Sequence, residues 1–124
     1  NDSIAGENGK SRGYKYSGSS NPDDVAWYEE NIGNTTLPVA QKHANELGLY
    51  DMSGNVCEWC SDWYDIYNRS LQTNPKGPSS GSGRVARGGS WGGYWGGCRV
   101  SRRWGDDPDY RSNSHGFRLV CSPE

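Results

Sequence analysis

The chain has 124 residues, a formal charge of -2, and only 15 Leu, Ile, Val and Phe against 24 Gly and Pro. That length holds one domain, no apolar run approaches the roughly 18 residues of a membrane span, glycine is too frequent for a helical bundle, and a pI of 5.7 argues against a generic nucleic-acid footprint. Aliphatic content this low leaves many chains unfolded, but the small net charge and 15 aromatics, six of them Trp, point to a small aromatic core wrapped by glycine-rich connections.

Residues 1–20 are polar. Residues 1–10 carry no export-signal pattern, and the start is expected to fray. Tyr14-Lys15-Tyr16 alternates and predicts a short strand. A turn at Asn21-Pro22 leads into a segment packing Val25, Trp27 and Tyr28 together. Residues 35–39 predict a second short strand and 41–46 a turn or a single helical turn. Residues 48–64 are densest in aromatics, with Tyr50, Trp59, Trp63 and Tyr64. Residues 74–83 (NPKGPSSGSG) read as a solvated loop. The next segment alternates around Val85 and Arg87 and enters Gly88-Gly89. From 92 to 113 Val100 is almost the only aliphatic residue, whereas 116–121 has a strand signature. This places 92–115 on the surface, held at both ends by strands. A connection that long in a small domain is usually functional.

Three ordered motifs carry a resemblance. They are Gly48-Leu49-Tyr50-Asp51-Met52-Ser53-Gly54-Asn55-Val56 with Glu58-Trp59-Cys60-Ser61-Asp62-Trp63-Tyr64, then Arg87-Gly88-Gly89-Ser90-Trp91, then Gly116-Phe117-Arg118-Leu119. Together, from about Tyr14 to the end, the chain resembles the formylglycine-generating enzyme (sulfatase-modifying factor) superfamily. The resemblance implies an α+β, C-type-lectin-like fold: a small twisted antiparallel sheet with long irregular loops. It also implies that residues 1–124 form a single domain corresponding to the C-terminal half of the family domain. Trp27, Trp59, Trp63 and Trp91 fall in framework segments and are expected in the core, with Phe117.

The family's catalysts bind copper through two cysteines in the loop after the Gly-Gly-Ser-aromatic motif, and thiolates suit Cu(I). Here Gly93 stands where the first cysteine would be and only Cys98 remains. No copper is expected and no catalytic residue is assigned. Non-enzymatic members carry an Asn-rich loop in the same place. This chain keeps the framework (Arg87 to Trp91, Cys98-Arg99-Val100-Ser101, Arg103, Pro108-Asp109, Arg111, Gly116 to Val120) and holds Gly, Tyr, Trp, Arg, Asp, Ser and His between. Most of these are what an AAC codon yields when its adenines are randomised. The pattern resembles the variable proteins of diversity-generating retroelements, whose lectin-fold C-terminal loops are rewritten to bind new ligands.

The composition of residues 92–115 agrees. Tyr and Trp give wide contact area at low entropic cost, and Gly and Ser adapt around them. The expected ligand-binding residues are Gly93, Tyr94, Trp95, Arg102, Trp104, Asp106, Tyr110, Ser112 and Ser114. The competing reading is that the aromatics among them, Trp95 and Trp104 above all, fill an aliphatic-poor core. The expected partner is a protein or another macromolecule, with no nucleic acid and no membrane span. Display of this kind suits a cell surface, a secreted protein or a phage particle better than the cytoplasm. Two alternatives stand beside it: a non-catalytic accessory domain of a larger protein, and a copper-dependent sulfatase-modifying oxidase.

The resemblance further maps a calcium site onto the side chains of Asp51 and Glu58 and the carbonyls of Gly54 and Val56, an all-oxygen set that suits a hard cation. The plain alternative is a turn with solvated or hydrogen-bonded carboxylates. The four cysteines allow three full pairings. Cys57-x-x-Cys60 admits a redox or half-zinc reading, but Cys98 and Cys121 do not supply the other half of a zinc ribbon; free thiols or one disulfide are the bland reading. His43 and His115 lack a nucleophile context. Glu29-Glu30 and Asp106-Asp107 read as solvated loop charge. Neither Asp107-Pro108-Asp109 nor Trp104-Gly105-Asp106 matches the calcium-dependent sugar motifs of lectins.

Overall fold

The computed structural model describes residues 12–121; the readings made for residues 1–10 lie outside this range. One short helix and four strands are present among the described residues. Helix α1, Pro22–Val25, starts where the sequence placed a turn: the Asn21 side chain accepts from the Asp23 N–H, Pro22 fills the first turn, and Asp23 and Asp24 complement its positive end. The helix stops at once, because Ala26 is extended.

The strands are β1 Cys57–Trp63, β2 Arg84–Arg87, β3 Arg103–Asp106 and β4 His115–Gly116. They form one sheet in the order β3-β2-β1-β4. β1 and β3 both run antiparallel to β2, while β4 lies parallel to β1. The sheet is therefore mixed, with a parallel edge. A register shift interrupts β1 between Trp59 and Trp63. The glycine pair after β2 turns the chain with φ of 93° at Gly88 and 74° at Gly89, a region favoured by glycine. A single 3₁₀ turn, Trp95–Cys98, follows. Residues 64–83 form a long, largely exposed connection, as read for 74–83.

Several expectations change. Tyr16 makes only an isolated bridge to Ser19, and 35–39 is not a strand. The strand read over 116–121 shrinks to His115–Gly116. β3 lies inside the segment read as surface loop: it has no aliphatic residue to announce it, yet all four of its residues pair with β2. The core is not tryptophan-rich either. The buried apolar residues are Tyr16, Val25, Ala26, Tyr28, Cys57, Val85, Ala86 and Cys98, and Trp27, Trp59, Trp63 and Trp91 are only half-buried. Large rings such as these are seldom fully buried. Phe117, expected inside, is 76% exposed.

Candidate functional site

Directly opposed residues of an antiparallel pair project to the same side of a sheet. Trp59, Ala86 and Trp104 are such partners across β1, β2 and β3, so the two indoles flank the buried Ala86 on one face. Arg84 and Asp106 form the next row on that face. Arg84 stacks over the Trp63 ring at 3.5 Å and donates to the Ser61 carbonyl. The opposite face carries Arg103, whose guanidinium lies over Tyr64 and Tyr67 at 4.7 and 4.0 Å.

Asp106 ends β3 and His115 begins β4, at opposite edges of the sheet. In a flat sheet three strand spacings would separate them by about 14 Å. Instead, His115 Nε2 lies 3.0 Å from Asp106 Oδ2. The sheet is curled, and this pair closes the curl. Around His115 stand Trp59 at 5.3 Å and Tyr110, edge-on, at 5.0 Å between ring centres. Ser114 Oγ lies 3.4 Å from His115 Nδ1 and 2.9 Å from Ser112 Oγ. The Ser114 carbonyl accepts from the backbone N–H and the thiol of Cys57, which ties this cluster to β1.

The expected ligand-binding residues thus divide. Asp106, Tyr110, Ser112 and Ser114 gather about His115, and Trp104 lies on β3 with Asp106, its ring half-buried. Tyr94 and Trp95 form a second cluster on the 3₁₀ turn, edge-on at 5.9 Å, with Arg99 5.2 Å from the Trp95 ring. Tyr94 is 51%, Trp95 44% and Tyr110 50% exposed, so these three do not fill the core. Gly93 contributes backbone: its N–H donates to Ser90 and its carbonyl accepts from Glu29. Arg102 is exposed, with its backbone N–H donating to the Arg99 carbonyl. From sequence, His115 is set aside as lacking a nucleophile context and Trp59 is counted as core. The only sequence signal for His115 was its position, last in the variable segment before the Gly116 motif.

The mapped calcium positions are held in place by other partners. Asp51 sits at φ 57° and its Oδ2 accepts from the Ala40 N–H at 2.8 Å. Gly54 N–H donates to the Gly88 carbonyl at 2.7 Å. Both Glu58 carboxylate oxygens accept from Arg118 Nε at 3.1 Å, and Arg118 Nη2 adds a bond of 2.7 Å. The same Nη2 reaches the carbonyls of Tyr50 and Asp51. The donor set is all oxygen, as a hard cation requires, but one edge of Glu58 already faces a guanidinium. Among the described residues no three His, Cys, Asp or Glu side chains form a metal-ligating group.

Cys57 and Cys98 are buried, unbridged thiols. Burial pushes both up to about 12. A thiol held protonated this firmly makes a poor metal ligand and nucleophile. A groove of about 490 Å³ beside β1 is lined by Glu58, Cys60, Arg87, Cys98, Arg118 and Leu119, among others.

A curled sheet of this order, with few helices and long irregular wrapping, defines a C-type-lectin-like domain. The sulfatase-modifying factor enzyme 1-like domain family matches residues 3–123, and the chain belongs to it. Among solved structures it is similar to Treponema denticola variable protein 1, with a TM-score of 0.82 and 44% identity over 89% of this chain and 41% of that one. Among curated proteins it is 42% identical to the formylglycine-generating enzyme of Streptomyces coelicolor, over 69% of this chain and 29% of that protein. It is also 45% identical to the serine/threonine-protein kinase pkn1 of Chlamydia caviae, over 68% of this chain and 14% of the kinase. The chain spans a third or less of the curated relatives it matches.

Proposed function

We propose that this domain is a non-catalytic ligand-binding module that displays a diversified surface on a lectin-like scaffold. One observation carries the reading. Within residues 92–115 the backbone is anchored by the buried Cys98 and by the Val100 N–H on the Lys15 carbonyl, while Tyr94, Trp95 and Tyr110 stand about half exposed on it. Exposed Tyr and Trp on a fixed frame are what dominate binding hot spots. The likeness to a variable protein supports the same reading. The partner is a protein or another macromolecule, contacted through the aromatic clusters. The direct test is genomic: a second copy of the DNA encoding residues 88–120, differing only at adenines and lying beside a reverse transcriptase gene. An unpaired, non-repeated gene contradicts diversification.

The likeness to one segment of a much longer kinase favours a second reading, an accessory binding domain of a larger protein. Sulfatase-modifying oxidation has least support, since Gly93 replaces one cysteine and Cys98 is a buried thiol. We further propose that Asp51, Glu58 and the carbonyls of Gly54 and Val56 bind calcium. Its role there would be to neutralise two carboxylates and brace the turn into β1. Calorimetry of chelator-treated protein tests this: heat on calcium addition supports it, and none refutes it.

A further inference from the structure

We infer that His115 sets the hydrogen-bonding character of the display face: its protonation reverses the hydroxyls of Ser114 and Ser112 and turns Ser112 into an outward donor. This deepens the ligand-binding reading of the same face and rests on it.

The argument begins at Asp106. An ionised carboxylate only accepts, so the 3.0 Å contact requires a hydrogen on His115 Nε2. In the neutral ring Nδ1 is then an acceptor. It faces Ser114 Oγ at 3.4 Å, so the Ser114 hydroxyl donates to it. Ser114 Oγ is left to accept from Ser112 Oγ, 2.9 Å away, and Ser112 Oγ itself accepts from the Ser114 N–H at 3.2 Å. In this state the Ser112 hydroxyl is spent inward and the serine offers a lone pair outward. When a proton from solvent binds Nδ1, that nitrogen becomes a donor. Ser114 Oγ must accept, its hydroxyl swings to Ser112 Oγ, and the Ser112 hydroxyl is released toward a ligand. One proton enters to form the Nδ1–H bond, two hydrogen bonds reverse, and no other covalent bond forms or breaks.

The surroundings suit such a relay. Asp106 on β3 supplies the counter-charge, with Arg84 of β2 opposite it in register and stacked on Trp63. From β1, the Cys57 thiol donates to the Ser114 carbonyl and, pushed up to about 12, stays neutral; Glu58 is engaged by Arg118. The Trp59 and Tyr110 rings pack against the imidazole. Histidine is the side chain that ordinarily changes charge between about pH 5 and 8. The ligand class implied is one that presents an acceptor to Ser112 in acid and a donor at neutral pH.

The test uses the full chain labelled with ¹⁵N at histidine and backbone amides. His43→Gln leaves His115 as the sole histidine. Long-range ¹H–¹⁵N spectra in base should show the Nε2–H tautomer alone, and the Ser112 and Ser114 amide signals should move with the His115 titration on acidification. In Ser114→Ala the Ser112 amide should no longer follow. An Nδ1–H tautomer in base, equal mixing of the two tautomers, or a Ser112 amide that titrates unchanged in Ser114→Ala overturns the inference. Because no ligand is used, its failure is distinct from failure of the display reading, which the genomic repeat decides.

Discussion

Arg118 and Glu58, 60 residues apart, meet in a fork of three contacts of 2.7 to 3.1 Å. Arg118 is one residue beyond the exposed Phe117 and pins the C-terminal segment to β1 through a side chain where backbone pairing has already stopped. Its remaining bonds go to the carbonyls of Tyr50 and Asp51. The ion pair therefore joins the first and last family motifs.

Glu58→Gln removes the charge of this half-exposed pair and should cost about 1–2 kcal/mol, measured by urea unfolding. If the calcium proposal holds, the same variant also loses the rise in melting temperature that calcium gives chelator-treated wild type. A calcium response retained in full by Glu58→Gln would remove Glu58 from the ligand set.

Gly54 has φ 78°, and a Cβ there would run into the Trp27 backbone. Gly54→Ala should destabilise by about 3 kcal/mol or more, combining strain with overpacking. Gly92, which has open space around its Cβ position, should accept alanine within about 0.5 kcal/mol. Paired thermal melts of the two variants check the contrast.

Val85→Ala at a fully buried position of β2 should cost about 2 kcal/mol, whereas Phe117→Ala should cost under about 0.5 kcal/mol. Trp104→Ala, from a half-buried ring, should fall between them. Chemical denaturation that ranks Phe117 above Val85 would place the phenyl ring in a core.

Stability should fall as pH rises above about 9. Cys57 and Cys98 have a reference value of 9.0 and are pushed up to about 12 by burial. Between these limits the unfolded thiols release protons that the folded ones keep, so folding binds protons and stability declines with pH. Tyr28, moved from 10.0 to about 12 by burial and its bond to Asp23, acts in the same direction. Denaturant midpoints at pH 8 and pH 10 test the sign. By the same logic, iodoacetamide at pH 8 should modify the exposed Cys121 well before Cys57 or Cys98.

The motifs around Gly54, Gly88 and Arg118 were legible as a family resemblance, and the structure shows what each one supplies. Gly54 and Gly88 adopt positive φ, and Arg118 has five donors to spend. The exposure of Tyr94, Trp95 and Tyr110 was legible from their aliphatic-poor neighbourhood. β3 was not, because Arg103-Trp104-Gly105-Asp106 pairs through backbone and stacks through arginine, neither of which leaves a hydrophobic alternation. His115 escaped for a related reason. Its partner Asp106 comes from the far edge of the sheet, and only the curl brings them together.

The most direct test of the ligand-binding account is a dissociation constant. A partner selected on the wild-type domain from a displayed protein library would be titrated against wild type and against Tyr94→Ala/Tyr110→Ala by biolayer interferometry, with melting temperatures recorded in parallel. The account predicts affinity weakened by about 30-fold or more at a nearly unchanged melting temperature. Unchanged affinity in the double variant would put the binding face elsewhere and contradict the account.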